Sequence, residues 1–436
     1  MGRSRWEPGT AAPPRRRVLV PALFGAAVLL LATGIAALGA PPPTPGVVSP
    51  GTDAQTWRPV LAGDAVRVQV AEGRARLATP REAEAPGSSP VAPLAPSSPR
   101  GAQRQGFLDL GTHTFARPVN RLDVPVVADL PRGTAVAADV RGRDDAGRWS
   151  EWTPAAPGAP AVLDAPARTV ALRLLLTSPG AGSPTVRSVV VHADRDASVS
   201  RALAPRASYR VFATREGLVG GTTANGHVIT EDDHFVALPS RRALDGEGKG
   251  DYSVRVCAES GRCATVPVWD VGPWNTDDDY WAPARGTWED LPQGVPQAQA
   301  AYSDGYHDGE DGFGRPVKNP AGIDLADGVF SALGLGDNGW VTVDYLWTGR
   351  AGENPADVHL ATAESPDAPV TVRAAPSAGA ADRGVVGNGA VLDVQCRATG
   401  EAVDGSRGTS TEWLRLAPEA YVPAAWLATT NPPPLC

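Results

Sequence analysis

One carboxylate in the sequence stands between two tryptophans where a strand-like run reaches a turn. In the stretch PVWDVGPWN, 267–275, Asp270 follows Trp269 and precedes a Gly-Pro pair and Trp274. Aromatic neighbours shield a carboxyl group from water, which raises its pKa and lets it keep a proton for donation. A general acid donates such a proton to a glycosidic oxygen, while indole rings stack on sugar faces. Alternatively, Asp270 only accepts hydrogen bonds from the backbone of the turn.

The segment that follows is rich in acidic and aromatic residues. From Asp270 to Arg315 there are ten Asp or Glu and two Arg, a composition typical of carbohydrate clefts. The further candidate sugar-contacting residues in this segment are Tyr280, Trp281, Trp288 and Tyr306. A solvated acidic loop is one alternative, and a calcium site is another, although no known ligand spacing is present. The calcium ligands would be Asp304, Asp308, Glu310 and Asp311.

Short strands are the elements that would position these side chains. Runs such as YRVFAT, YSVRVC and ATVPVWD, separated by turn signals such as DNG, predict a small barrel from Tyr209 to Trp347. One short helix is expected at ADGVFSALG, Ala326–Gly334, and the final glycine ends it.

Five motifs in this segment occur in the order seen in a known superfamily. They are TTANG (222–226), VALPS (236–240), V-x-V-x-D-x-GPW (266–274), IDLADGVFSALG (323–334) and GWVTVDYL (339–346). Over about 140 residues the segment therefore resembles the six-stranded double-psi β-barrel of rare lipoprotein A, barwin and expansin proteins, here placed at 205–350. The resemblance implies action on peptidoglycan or plant-wall glycans; some members are lytic transglycosylases, whereas expansins loosen walls without hydrolysis.

The resemblance also implies site residues. Asp270 occupies the position of the family aspartate in D-x-GP, and Asp324 that of the aspartate in I-D-L. For Asp324, capping of the following helix is an alternative. His227 stands where catalytic members carry a glutamate, and their histidine has no clean match here, because Phe235 falls at its position and His234 lies one residue short of it. His227 could act as a base or a hydrogen-bond donor, or be a solvent-facing loop residue. The stretch 275–322 is an insertion relative to the family.

Two further β-domains are expected. Alternating runs between 106 and 195 predict an antiparallel β-sandwich; its GRWSEW stretch (147–152) resembles a small domain of secreted Gram-positive hydrolases. Its two tryptophans would pack in the core or offer a sugar platform. The stretch 365–436, with VTVRAAPS and GTSTEW, resembles bacterial SH3-like domains, which implies wall-peptide binding or a spacer role.

The N-terminal segment predicts an extracytoplasmic protein. A basic tail (1–17) precedes an uncharged apolar run (18–40), which is long enough to cross a bilayer as an anchor, with a cleaved signal as the alternative. The stretch 41–105 is rich in Pro and Ala and poor in large apolar residues, which predicts a disordered linker. A net charge of -8 argues against nucleic acid as a partner.

Four cysteines fit an oxidising compartment. Cys257 and Cys263 flank a five-residue turn, which favours a bridge across one hairpin and leaves Cys396 to pair with Cys436. Four cysteines allow three connectivities, and only proximity in the sequence favours this one.

The sequence therefore predicts an all-β cell-wall protein without a cofactor or bound metal. The first functional hypothesis is binding of peptidoglycan or another wall polysaccharide without turnover. The alternative is cleavage of the lytic-transglycosylase type, with Asp270 as the general acid. A surface scaffold for other proteins is the third hypothesis.

Overall fold

The computed structural model describes residues 54–79, 104–199, 205–349 and 353–436. The expected apolar span at 18–40 lies outside these residues. Among the residues that are described, no helix has both the length and the apolar character needed to cross a membrane.

The first part of the structure is a pair of antiparallel sheets, called here the N-terminal β-unit (54–79 and 104–194). One sheet has the order β1-β11-β5-β9-β7-β8 with β2 on β5, and the other the order β3-β4-β10-β6. Alternating apolar residues from both sheets meet in one core, including Leu108, Leu174 and Val186. The strands are β1 (Gln55–Trp57), β2 (Ala65–Val66), β3 (Val68–Ala71), β4 (Arg74–Leu77), β5 (Arg104–Asp123), β6 (Val126–Asp129), β7 (Ala135–Arg143), β8 (Thr153–Ala155), β9 (Ala161–Ser178), β10 (Thr185–Val189) and β11 (Val191–Asp194).

The prediction of a disordered linker at 41–105 is wrong for residues 54–79. These residues form the first four strands, and Val68, Ala75 and Leu77 are buried in the core of the N-terminal β-unit. The prediction rested on the low content of large apolar residues in this stretch. Short strands need few such residues when long partner strands supply most of the core, so this composition does not exclude strands.

A closed barrel of six strands follows, as predicted. Its strands pair in the cyclic order β12-β17-β14-β15-β13-β16 and back to β12. The β12–β16 and β13–β15 pairs are parallel, and the other four are antiparallel. Val211, Val254, Val268, Ile323 and Val343 fill the interior. The strands are β12 (Ser208–Arg215), β13 (Val236–Leu238), β14 (Ser253–Cys257), β15 (Cys263–Val271), β16 (Ala321–Leu325) and β17 (Gly339–Tyr345).

Two helices accompany the barrel. The insertion after β15 contains α1 (Gln297–Asp304), which the sequence analysis did not predict. The predicted helix after β16 is present as α2 (Asp327–Ala332). Gly334 has a φ of 71°, a left-handed conformation that glycine adopts without strain and that ends the helix as expected.

The C-terminal β-unit (360–436) begins five residues before the predicted boundary and adds small sheets. Its strand β20 pairs in parallel with β15, so that the barrel continues into this unit. Both predicted disulfides, Cys257–Cys263 and Cys396–Cys436, are present. The strands are β18 (Leu360–Ala363), β19 (Val370–Arg373), β20 (Asp382–Val386), β21 (Val391–Asp393), β22 (Cys396–Gly405), β23 (Gly408–Ala417), β24 (Ala420–Pro423) and β25 (Leu427–Thr429).

The tryptophans of GRWSEW pack between the N-terminal β-unit and the barrel. Trp152 is buried and donates from Nε1 to the carbonyl oxygen of Leu244 over 3.2 Å. The guanidinium of Arg141 lies 4.5 Å from the ring centres of both Trp149 and Trp152. Cation–π contact and burial thus give these rings a packing role rather than that of a sugar platform.

Candidate functional site

Asp270 and Asp324 lie on either side of the same short strand. Ala237 of β13 pairs with Asp270 of β15 on one side and with Asp324 of β16 on the other. Neighbouring strands are about 4.8 Å apart, so the two backbones are separated by about 10 Å. Gly272, in the turn after β15, lies beside the Asp324 carboxylate, because a Cβ atom added to Gly272 would be 3.7 Å from Oδ2 of Asp324. The fold therefore brings both predicted acids to one end of the barrel, called here the acidic end.

The Asp270 side chain is held by backbone groups through one oxygen. Oδ1 accepts hydrogen bonds from the N–H groups of Ala224 and Val271, both over 2.7 Å. Burial raises the pKa of Asp270 to about 6, although these two hydrogen bonds and the charge of Arg67 oppose the rise. Asp270 thus connects the loop at 222–227 to the end of β15 through hydrogen bonds and does not cap the Gly-Pro turn. Near neutral pH a fraction of the Asp270 side chains is protonated.

Asp324 does not cap α2. The N-cap residue of that helix is Ala326, whose side chain makes no capping bond. Asp324 instead accepts a short hydrogen bond from the hydroxyl of Thr214 on β12. Burial raises the pKa of Asp324 to about 7; the Thr214 bond opposes this rise and the negative charge of Asp270 adds to it. Two carboxylates whose pKa values are raised mainly by burial thus lie at the same end of the barrel, as in sites that perform acid–base chemistry.

A third carboxylate, Glu216, was missed by the sequence analysis. It follows β12 two residues after Thr214, and alternation along an extended chain gives both side chains the same facing. Burial raises the pKa of Glu216 well above its ordinary value, and Asp324, Asp270 and Asp327 raise it further. Its Oε2 atom is buried without a hydrogen-bond partner among the described residues. The only indication in the sequence is that Glu216 lies two residues after Thr214, so that both side chains point to the same side of the strand. This spacing becomes informative only once Asp324 is known to lie beside Thr214.

His227 is occupied by two acidic partners. Nε2 lies 2.8 Å from Oδ2 of Asp233, and Nδ1 lies 3.3 Å from Oε1 of Glu247. The hydrogen bond to Asp233 raises the pKa of His227, which favours the charged imidazolium. With both ring nitrogens engaged, His227 has no free position for taking a proton from substrate, and the prediction that it acts as a base is not supported by this geometry.

Three of the six aromatic residues predicted to contact sugar are buried. Trp269 is 7% exposed and donates from Nε1 to the carbonyl oxygen of Lys249 over 2.7 Å. Tyr280 is fully buried, and its hydroxyl lies 2.6 Å from that of Tyr345. Trp281 is 1% exposed and donates to Glu151 over 2.7 Å. These rings belong to the core and cannot stack on a sugar, so this part of the prediction is wrong.

The other three predicted aromatic residues are partly exposed. Trp274 follows the turn next to Asp324 and donates from Nε1 to Asn319 over 2.9 Å. Trp288 packs edge-on against Tyr306 with 6.0 Å between ring centres, and its Nε1 is buried without a partner among the described residues. The hydroxyl of Tyr306 donates to Asp290 over 2.8 Å. These rings have accessible surface, and Trp274 is the one that follows the turn beside Asp324, four residues after Asp270.

Most buried acids of the insertion form ion pairs. Asp278 and Asp279, both fully buried, pair with Arg285 and Arg242. Asp311 is also buried and pairs with Arg315 over 2.5 Å, which removes it from the calcium alternative. Across the described ranges no group of three or more His, Cys, Asp or Glu is placed to hold a metal ion. The acidic composition of the insertion therefore serves its own folding to a large extent.

Comparison with known families gives a match to the barrel region. The family described as "Domain of unknown function (DUF8814)" matches residues 207–344. This range contains the barrel and its insertion, and with them both aspartates of the acidic end. No curated protein matches the chain.

The pKa of Asp324 predicts how stability depends on pH. An unfolded aspartate has a pKa of about 3.9, whereas Asp324 in the folded protein has a pKa of about 7. Between these values the folded state binds more protons than the unfolded state, so the free energy of unfolding falls as the pH rises. Asp324→Asn cannot ionise and is expected to flatten this fall between about pH 4 and pH 7.

Urea unfolding at several pH values measures this dependence. Asp129→Asn is the control, because Asp129 is exposed and pairs with Arg187 on the surface. If Asp324→Asn and wild type lose stability in parallel as the pH rises, the raised pKa of Asp324 is contradicted.

Proposed function

We propose that this protein binds a cell-wall glycan, with peptidoglycan as the first candidate, at the acidic end of a double-psi β-barrel. The observation that carries the proposal is the pairing of Asp270 and Asp324 around one strand, with the partly exposed Trp274 two residues after Gly272, the glycine that lies beside Asp324. Carboxylates accept hydrogen bonds from sugar hydroxyls, and an indole face stacks on the sugar ring. The motif resemblance and the closed mixed barrel support the double-psi assignment.

The proposed location is outside the cell membrane, with the chain anchored or secreted through its apolar N-terminal run. The two disulfides support an oxidising compartment. The C-terminal β-unit is proposed to be the SH3-like module, and its contacts with the wall would add avidity to those of the barrel.

The second candidate function is glycan cleavage of the lytic-transglycosylase type. It is favoured by the pKa of about 6 for Asp270, because a carboxyl group must hold a proton near neutral pH to act as a general acid. Asp270 would protonate the scissile oxygen, whose bond to the anomeric carbon breaks. The 6-hydroxyl of the same sugar would then attack that carbon and give its proton to the Asp270 carboxylate, which restores the acid, so that no water is consumed. Asp324 would polarise the bound chain.

One experiment separates these functions. The full chain is incubated with isolated peptidoglycan, retained protein is measured by sedimentation, and released muropeptides are analysed by mass spectrometry. Retention without release supports binding alone, whereas release of anhydro-ended products supports cleavage. Absence of both retention and release contradicts the proposal.

Trp274→Ala tests the stacking contact. Loss of an aromatic contact is worth about 1 kcal/mol, so the Kd for glycan is expected to rise about fivefold. Binding is measured by sedimentation over a range of glycan concentrations. Trp57→Ala is the matched control, because Trp57 is also partly exposed but stacks on His113 in the N-terminal β-unit. Equal affinities in wild type and Trp274→Ala would exclude Trp274 from the binding surface.

A further inference from the structure

A cation from the N-terminal β-unit reaches the acidic end of the barrel. Arg67 lies between β2 and β3, and its Nη2 is 3.3 Å from the carbonyl oxygen of Thr223 and 3.5 Å from that of Thr222. The next residue of this loop is Ala224, whose N–H donates to Oδ1 of Asp270. Arg67 and Asp270 therefore bind adjacent residues of the same loop.

Apolar packing fixes the N-terminal β-unit against this loop. Val66, directly before Arg67, and Phe107 of β5 pack in one small cluster with Ala224 and Val271. Val271 follows Asp270 and donates its N–H to that carboxylate. The residues that bond Asp270 thus pack against the N-terminal β-unit, and the position of Asp270 depends on this contact.

The backbone at Arg67 is held in a sparsely populated conformation. Its φ is 55°, in the left-handed region, which a residue with a long side chain seldom adopts. Its carbonyl oxygen accepts from the N–H of Ala78 over 2.9 Å. A Cβ atom at Gly106 of β5 would lie 2.7 Å from the same oxygen, so only glycine lets β5 approach so closely. The surrounding strands therefore impose the bend that points Arg67 toward the barrel, and such imposed conformations cluster at functional sites.

We infer that the N-terminal β-unit completes the candidate site, with Arg67 as a positioning residue that holds the loop at 222–227 and places a positive charge beside Asp270. This inference rests on the proposed function, because that function gives Asp270 its role in the site. Three carboxylates gather at the acidic end, and Arg67 is the cation that acts on Asp270 there. The charged groups that face this region are Arg67 from the N-terminal β-unit, Asp324 from β16, Glu216 after β12 and, next to Glu216, Asp327 from α2, which forms an ion pair with Arg215 of β12 over 2.5 Å.

Two variants of the full chain separate charge from structure. Arg67→Gln keeps hydrogen-bond donors but removes the charge, so the midpoint of Asp270 titration is expected to move upward from about 6. Arg67→Lys keeps the charge and is expected to restore the midpoint toward that of wild type. The midpoint is followed by NMR of the labelled side-chain carboxyl carbon. Arg74→Gln is the control, because Arg74 is exposed on the neighbouring strand β4.

Hydrogen exchange reports the positioning role. In Arg67→Gln the amide of Ala224 is expected to exchange about tenfold faster, because the loop loses a charged partner. Core amides of β9 should keep their wild-type rates. An unchanged Asp270 midpoint together with unchanged exchange at 222–227 would overturn the inference, as would a midpoint in Arg67→Lys that equals that of Arg67→Gln. Neither readout requires glycan, so failure of glycan binding leaves this test intact, and the two failures are distinguishable.

Discussion

Asp270→Asn is expected to lower any glycan turnover by about 10²–10⁴-fold, the contribution of a general acid, and to weaken glycan binding by about tenfold or less, because one carboxylate acceptor for sugar hydroxyls is lost. Asparagine cannot donate a carboxylic proton, but its side-chain oxygen can still accept from Ala224 and Val271, as Oδ1 of Asp270 does. The loop at 222–227 should therefore keep its place. The measurements are muropeptide release by mass spectrometry and retention on peptidoglycan.

Two comparisons make this prediction decisive. Asp129→Asn removes an exposed carboxylate of the N-terminal β-unit and should change neither readout. Turnover that persists in Asp270→Asn would exclude Asp270 as the acid. Loss of binding by much more than about tenfold, together with loss of turnover, would show that Asp270 acts mainly in binding and would leave its role as an acid unsupported.

Trp281→Ala is expected to lower the free energy of unfolding by about 3–5 kcal/mol. The ring stacks on Tyr345 of β17 with 5.2 Å between centres and packs edge-on against Tyr280 and Trp347. Its Nε1 also donates to Glu151 of the N-terminal β-unit. Removal of the ring leaves a cavity at a junction of insertion, barrel and N-terminal β-unit, which the rigid strands cannot fill.

Urea unfolding followed by circular dichroism measures this loss. The matched control is Trp274→Ala, whose ring is partly exposed, and the expected loss there is about 1 kcal/mol or less. A loss of less than about 1 kcal/mol for Trp281→Ala would contradict the core position of Trp281. The pair thereby separates a structural tryptophan of the insertion from a candidate sugar contact.

The candidate site was predicted only in part. Asp270 and Asp324 were expected, and the closed barrel brings them to one end through their shared partner Ala237. His227 was also expected, but its contacts with Asp233 and Glu247 come from side chains whose approach no local pattern indicates. Glu216 was missed because a single glutamate after a strand has no chemical signature until its neighbours are known.

Local patterns in the chain were sufficient for the strands of the barrel, for α2 and for the hairpin disulfide. Alternation and turn residues act over a few positions, and Cys257 faces Cys263 in the hairpin register. Contacts between distant segments were needed for everything else at the site. From the sequence, Tyr280 and Trp281 were predicted to be accessible to sugar, but in the fold they are buried in contact with Tyr345 and Glu151. Arg67 lies in a stretch predicted to be a linker, but the pairing of β2 with β5 places it against the loop at 222–227. Burial and charge pairing depend on what lies across the fold, and the spacing of residues along the chain does not encode this.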